Sequence, residues 1–368
     1  MRIIRTISFI IVGIVLVFSG IVKGIDPLGT AYKLQDYFVA FGMQSLRFLG
    51  LPLSILLCTV EFITGISLLT GAFRKAGIVS AFIMFAFFTP LTLVLAISNP
   101  VSDCGCFGDA IHLTNWQTFG KNLFLVFFVL LLFFSRDTGM VTSRKKSMVI
   151  LISSVLLFFI FTWYNLRYLP VIDFLPYSVG TSIPEKMKIP EGAPAGKYES
   201  IFIYEKDGVR KEFTIDNYPA NDSTWKFVET KTTITEKGYI PEIHDFSITG
   251  MNGEDLTDSV LSSKGYTLLM ISRKLKKAGE KEFLEGMKVR ELCTSNGVGF
   301  LVLTSSPTTD ITELGTDATI CTTDDTTLKT IARSDPGFLL IKNGIIIGKW
   351  SLAGLPGSDK FRKIIVTE

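Results

Sequence analysis

The stretch Asp103-Cys104-Gly105-Cys106-Phe107-Gly108-Asp109 lies between two long apolar runs, at about residues 77 to 97 and 117 to 134. Each run is near the roughly 20 residues with which a helix crosses about 30 Å of hydrocarbon. The stretch therefore reads as a polar loop at a membrane face, carrying two thiols. A turn through Gly105 brings positions 104 and 106 to the Cα separation of about 4.4 to 6.8 Å that a disulfide needs, at some strain. Strain makes such a bond easier to reduce, so a Cys-x-Cys pair suits electron exchange better than permanent stapling.

Three further apolar runs, at about 6 to 22, 51 to 70 and 147 to 165, bring the expected spans to five. The first resembles a secretory signal, with Arg2 and Arg5 ahead of an apolar stretch ending in Ser19 and Gly20, but four spans follow it. With 48% hydrophobic residues and 30 phenylalanines, the 368-residue chain is too apolar for an ordinary soluble protein, and almost all of its long apolar runs fall in the first 165 residues. A net charge of +3 and the lack of a basic cluster interleaved with aromatics argue against nucleic acid as a partner; the lipid bilayer is one by composition.

Cations flanking spans stay cytoplasmic. Arg2, Arg5, Arg74, Lys75, Arg136, Arg144, Lys145 and Lys146 all fall on one side, whereas the opposite loops hold Lys23, Lys33 and Arg47 and, around the cysteine pair, none. The expected orientation is a multi-pass bacterial inner-membrane protein with a cytoplasmic amino terminus and with Cys104, Cys106 and everything after about residue 166 in the periplasm. Disulfides form and persist there, so Cys293 and Cys321 are either one bridge or two free core thiols. Cys58, inside the second span, reads as a small buried membrane residue.

Glu61 sits near the middle of the second span, where an ionised carboxylate is costly and normally faces a bundle interior or polar cavity. It is a candidate proton-linked or quinone-facing group, with a structural hydrogen bond to a neighbouring helix as the rival reading. Pro90 is expected to bend the third span and open space beneath the cysteine loop. The flanking Asp103 and Asp109 should raise the thiol pKa values, which makes the pair a better electron acceptor than nucleophile. A structural disulfide, or a metal held by Cys104, Cys106, Asp109 and His112, remains as an alternative, although Cys-x-Cys is not the usual zinc spacing.

The tail of the first span, Phe18-Ser19-Gly20-Ile21-Val22-Lys23-Gly24-Ile25-Asp26-Pro27, the segment Glu61-Phe62-Ile63-Thr64-Gly65 and the Cys104-Gly105-Cys106-Phe107-Gly108 loop together resemble the DoxX and MauE group of four-helix redox-associated membrane proteins. The resemblance covers about residues 1 to 136, and the cysteine loop points to the MauE branch. That branch is associated with maturation of the disulfide-containing methylamine dehydrogenase, and the wider group includes a subunit of a thiosulfate:quinone oxidoreductase. The resemblance thus implies redox work at Cys104 and Cys106 and, by analogy only, a quinone as cofactor; no cofactor-binding residue is assigned.

Residues 137 to 166 read as a cytoplasmic loop and fifth span, and 167 to 240 as an extracytoplasmic β-rich linker with no visible chemistry. Within it, Glu199 to Ile215 forms an expected hairpin about Lys206-Asp207-Gly208, while Pro184, Pro190, Pro194 and Pro219 argue against helix. From 241 to 368, strands and helices alternate: strands at 267 to 272, 299 to 304, 318 to 321, 338 to 342 and 345 to 350, and helices at 280 to 295, 309 to 314, 326 to 333 and 357 to 365.

That order, with Pro336 just before the Phe338 strand, resembles the thioredoxin-like redoxin domains tethered outside the bacterial inner membrane. Where such domains carry Cys-x-x-Cys, this chain has Ser272-Arg273-Lys274-Leu275-Lys276-Lys277-Ala278-Gly279, so the usual exchange reaction has no nucleophile here. The basic run is an acidic-partner surface or a solvated helix face. His244 reads as a surface residue without a partner.

The expected fold class is an integral membrane α-helical bundle, four-helix DoxX/MauE-like plus a fifth span, followed by an α/β thioredoxin-like domain with a preceding β-hairpin region. The expected function is thiol-disulfide exchange through Cys104 and Cys106, with Glu61 in support, between an extracytoplasmic client or redox partner and the membrane. A different class fits the same architecture: a non-enzymatic membrane assembly or stress factor whose redoxin-like domain binds a partner while the cysteine pair only rigidifies its loop.

Overall fold

In the computed structural model five helices are long and apolar enough to cross a membrane among the described residues, which are all except 1, 102, 136–141, 195–196, 207, 216, 220–221, 223, 237, 276–279, 314–317 and 368. They are α1 (Arg2–Ile25), α3 (Gly50–Thr70), α4 (Arg74–Ser98), α5 (Asn115–Phe133) and α6 (Arg144–Tyr168). Each covers an expected run. Between α1 and α3 lies a helix that the hydropathy pattern did not announce, α2 (Pro27–Ala40), followed by a short 3-10 turn. Pro27 starts α2 at the position where a missing N–H costs nothing, and Asp26 caps it by accepting from the Gly29 amide at 2.8 Å.

Small residues let α1 and α3 approach closely, as packing between membrane helices requires. A Cβ on Gly20 would lie 2.7 Å from the Phe62 amide nitrogen, and one on Gly65 would lie 2.7 Å from the Gly13 carbonyl oxygen. Phe9, Val12, Leu16, Leu68, Ile78, Leu125 and Val129 fill the space among α1, α3, α4 and α5. Much of the remaining apolar surface, such as Leu56, Phe87, Phe127 and Leu157, faces outward, as a lipid-facing surface must. Pro90 lies inside α4, which continues through it to Ser98.

Residues Ser182–Phe246 form a separate compact unit, a sharper division than the expected linker over 167 to 240. It opens with the short helix α7 (Ile183–Met187), which corrects the expectation that Pro184 excludes helix; the proline occupies the first turn, where it is tolerated. The expected hairpin is present as β1 (Lys197–Lys206) and β2 (Val209–Phe213), with Asp207 of its turn outside the described residues. An unforeseen third strand, β3 (Lys226–Glu236), pairs antiparallel with β1 to give the order β2-β1-β3. Edge-to-face contacts of Tyr204 with Phe213 and Phe227 cover one face.

The other unit includes both the membrane helices and residues Ser247–Glu368. Its second portion runs β4 (Thr249–Gly250), α8 (Thr257–Leu261), β5 (Tyr266–Ile271), α9 (Glu280–Met287), α10 (Val289–Ser295), β6 (Gly299–Thr304), α11 (Thr308–Glu313), β7 (Ile320–Thr322), α12 (Asp325–Ile331), β8 (Gly337–Lys342), β9 (Ile345–Ser351) and α13 (Ser358–Thr367). The sheet order is β4-β7-β6-β5-β8-β9, with β5 parallel to β6 and antiparallel to β8. A cis peptide links Asp335 to Pro336 just before β8, completing a thioredoxin-like arrangement.

The single helix expected over 280 to 295 is broken at Lys288. Leu268, Met270, Val302, Phe338, Leu340 and Phe361 are buried in this core together with Cys293. Cys293 and Cys321 are buried free thiols rather than a bridge, and burial pushes the Cys293 thiol up to about 12. His244 is exposed but has a partner, Asp245, at 3.0 Å. Arg136, Leu314 and the segment 276–279, which includes Lys276 and Lys277, lie outside the described residues.

Replacing Gly20 by Val would push a branched side chain into the α3 backbone, and overpacking of this kind costs about 1 to 3 kcal/mol. Unfolding of the purified protein in detergent should show this loss for Gly20→Val, while Gly120→Val, at a site with open space around its Cβ, should be nearly silent.

Candidate functional site

The cysteine loop is built by local turns and held from three directions. Its start accepts a local bond: the Gly105 amide donates to Asp103 Oδ1 at 2.9 Å, an Asx turn. Gly105 then takes φ of +65°, where a side chain would be strained and would crowd Lys33 at 3.1 Å, so the Cys-Gly-Cys sequence follows from the turn. Asn115 Nδ2 donates to Asn99 Oδ1 and to the Val101 carbonyl, closing the loop at its base. Thr114 and Gln117 form a capping box that starts α5.

On one side α2 grips the loop. Lys33 pairs with Asp103 at 2.6 Å and Tyr37 donates to the Cys104 carbonyl at 2.7 Å. Below, α1 and α3 contribute a buried ion pair, Lys23 Nζ to Glu61 Oε1 at 2.6 Å, with both side chains 6% exposed. Ser19 joins this pair to the loop, lying 2.8 Å from both Glu61 Oε2 and the Cys106 carbonyl oxygen. From α5, Lys121 sits 4.4 Å above the Phe107 ring. On the remaining side Asp109 accepts from Arg333 at 2.6 Å.

These groups surround a cavity of about 80 Å³ that Cys104, Cys106 and Glu61 all line, together with the apolar side chains Met84, Phe85, Phe88 and Leu125. The three candidate residues from the sequence are therefore gathered at one place. Cys58 lies one turn from Glu61 on α3 but does not line the cavity, and His112 is exposed. Among the described residues no group of three or more His, Cys, Asp or Glu side chains is gathered in a way that would hold a metal ion. Lys23, Ser19, Tyr37, Lys33 and Lys121 were not assigned to the site from the sequence. Ser19 and Lys23 lie in the segment that carries the family resemblance, and a carboxylate inside a span calls for a counterion such as Lys23.

The two sulfurs are 3.0 Å apart, and their chemistry differs. A hydrogen bond from the Cys104 thiol lowers Cys106 to about 6, against the opposing effect of burial and with help from Lys121 and Lys23. The same hydrogen bond, together with burial, pushes Cys104 up. The expected rise is present at Cys104 and reversed at Cys106, and its leading causes are the mutual hydrogen bond and burial rather than Asp103 and Asp109, each of which is engaged by its own cation, Lys33 or Arg333. The direction of these shifts makes Cys106 the better nucleophile of the pair.

Two family models match parts of the chain. Residues 1–135 match the family model described as methylamine utilisation protein MauE, and residues 198–237 match a domain of unknown function, DUF8463. No curated protein matches the chain. Among solved structures, a putative protein disulfide isomerase from Bacteroides thetaiotaomicron aligns over 33% of this chain and 86% of its own, at 13% identity and a TM-score of 0.26.

Two outcomes follow from this geometry. Alkylation of Cys106 by a small neutral reagent should rise through a midpoint near pH 6 and level off by neutrality, and Cys104→Ala should move that midpoint upward by removing the thiol that donates to it. Lys23→Met strands Glu61 in the bundle and should cost about 3 to 5 kcal/mol in detergent unfolding, with Lys23→Met combined with Glu61→Met recovering most of the loss.

Proposed function

We propose that this chain is a thiol-disulfide redox protein of the bacterial inner membrane, working on clients at the periplasmic face through Cys104 and Cys106. The observation that carries the reading is the asymmetric dithiol, one thiol lowered and one raised at a separation of 3.0 Å, set over a cavity that reaches into the bundle. The MauE match over residues 1–135 supports it, since that membrane domain belongs to a redox-associated group.

The step follows from the assignment of the two thiols. In the oxidising direction a client thiolate attacks the Cys106 sulfur of the internal disulfide, forming a mixed disulfide and expelling the Cys104 sulfur, which takes up a proton. A second client thiolate then attacks the client sulfur of the mixed disulfide, leaving a client disulfide and Cys106 as thiolate, so that the pair has gained two electrons. A Cys-x-Cys ring of three residues is strained, which favours this direction. The electron acceptor in this reading is a bilayer quinone: Met84, Phe85, Phe88 and Leu125 would meet apolar parts of it, and Lys23 and Tyr37 its oxygens. Bound there, it would supply a two-electron oxidant. The thioredoxin-like domain has no Cys-x-x-Cys of its own and serves as a binding and positioning element.

Trapping in cells tests the redox reading. Acid quenching and alkylation should show Cys104 and Cys106 as a mixture of reduced and oxidised forms that shifts with added oxidant, and Cys104→Ser should accumulate a mixed disulfide through Cys106. A pair fixed in one state under every condition, with cysteine variants fully functional, would sink the proposal. A periplasm-dependent reporter joined after residue 175 should be active; activity only of a cytoplasmic reporter there would reverse the topology.

A further inference from the structure

The face of the thioredoxin-like domain that ordinarily carries its own cysteines is engaged by the membrane half of the chain. Arg333, three residues before cis-Pro336, is 6% exposed and uses all three guanidinium nitrogens. Nε donates to Asp26 Oδ2 at 2.6 Å, Nη2 to Asp109 Oδ2 at 2.6 Å, and Nη1 to the Lys329 carbonyl at 2.6 Å. Arg273, two residues after β5 where the missing motif would begin, donates to the Tyr32 hydroxyl. The Tyr32 ring lies 5.2 to 5.4 Å from the charged groups of Arg273, Lys329 and Arg333.

The two carboxylates that Arg333 joins are not arbitrary. Asp109 is three residues beyond Cys106 in the same loop, and Asp26 is the cap of α2, the helix whose Lys33 and Tyr37 hold the other side of that loop. One cation from the thioredoxin-like domain thus ties down both supports of the dithiol. A buried carboxylate that loses its cation is left with an uncompensated charge, which is severe in a low-dielectric setting. Asp109 would then present its charge to the neighbouring thiolate.

We infer that Arg333 is a positioning residue for the Cys104/Cys106 pair, through which the cysteine-free thioredoxin-like domain holds the loop in place and balances its charge. The inference deepens the redox reading and assigns the domain a role that needs no nucleophile: its partner at this face is the chain's own dithiol loop. A client that engages the Arg273–Arg333 face would displace α2 and loosen that loop, so occupancy of the domain and reactivity of the dithiol are linked.

The test reads the pH profile of Cys106 alkylation in the full-length protein in detergent, with no client present. Arg333→Gln should move the midpoint upward and slow the reaction at neutral pH about three- to tenfold, because Asp109 is uncovered. Arg333→Lys, which keeps the charge, should stay near wild type, and Asp109→Asn added to Arg333→Gln should restore the profile. An unchanged profile in Arg333→Gln, or no rescue by Asp109→Asn, would overturn the inference. If Arg333→Gln does not fold, Asp109→Asn alone decides: it should lower the midpoint, and an unchanged one rejects the inference. Because no client takes part, this result stands apart from the trapping experiment, whose failure would reject the function and not the clamp.

Discussion

A lysine and a glutamate paired at 2.6 Å inside the bundle are the constraint around which the site is arranged. Neither ion is tolerable alone at that depth, so α1 and α3 must meet with Lys23 and Glu61 in register. The glycines at 13, 20 and 65 permit the approach, and the ion pair fixes where along the helices it happens. Ser19, one turn before Lys23, then presents a hydroxyl between Glu61 and the Cys106 carbonyl. The position of the dithiol above the membrane core is thereby referenced to a charge pair within it.

A second layer of charges fixes the loop laterally. Lys33 and Arg333 each take one of the aspartates that flank the cysteines, which turns two groups that would suppress a thiolate into anchors that leave it alone. The asymmetry between the thiols then arises from their own hydrogen bond and from Lys121 and Lys23. Without Lys121 and Lys23 the lowering of Cys106 would rest on that hydrogen bond alone. α2 is central to this, since its cap, its lysine and its tyrosine all serve the loop or the domain above it.

The thioredoxin-like domain keeps the architecture of its fold and lacks the reagent. Its sheet, its cis-proline and its closing helix are all present, and the segment just after β5 carries Arg273 and no thiol among its described residues. Its Arg273 and Arg333 meet Tyr32, Asp26 and Asp109 of the same chain. The intervening three-stranded unit over Ser182–Phe246 has its own aromatic face.

Much of the fold was legible in the sequence because its causes are local. Five apolar runs of bilayer length gave five helices, and the strands at 299 to 304 and 338 to 342 were readable from short apolar segments bounded by turns. The pair Cys104 and Cys106 and the misplaced charge of Glu61 also stood out by themselves. What escaped was set by distance along the chain: α2 lies largely outside hydrophobic periodicity, and β3 has a weakly patterned sequence whose pairing with β1 is tertiary. Lys23 looked like a loop cation until α3 brought Glu61 to it, and Arg333 meets Asp26 across more than 300 residues of chain. The sequence by itself determined which groups can react and which segments cross the membrane, since residue chemistry and apolar length are properties of the chain alone. Only the tertiary structure decided the charge around the thiols, because an electrostatic field depends on distances that folding sets.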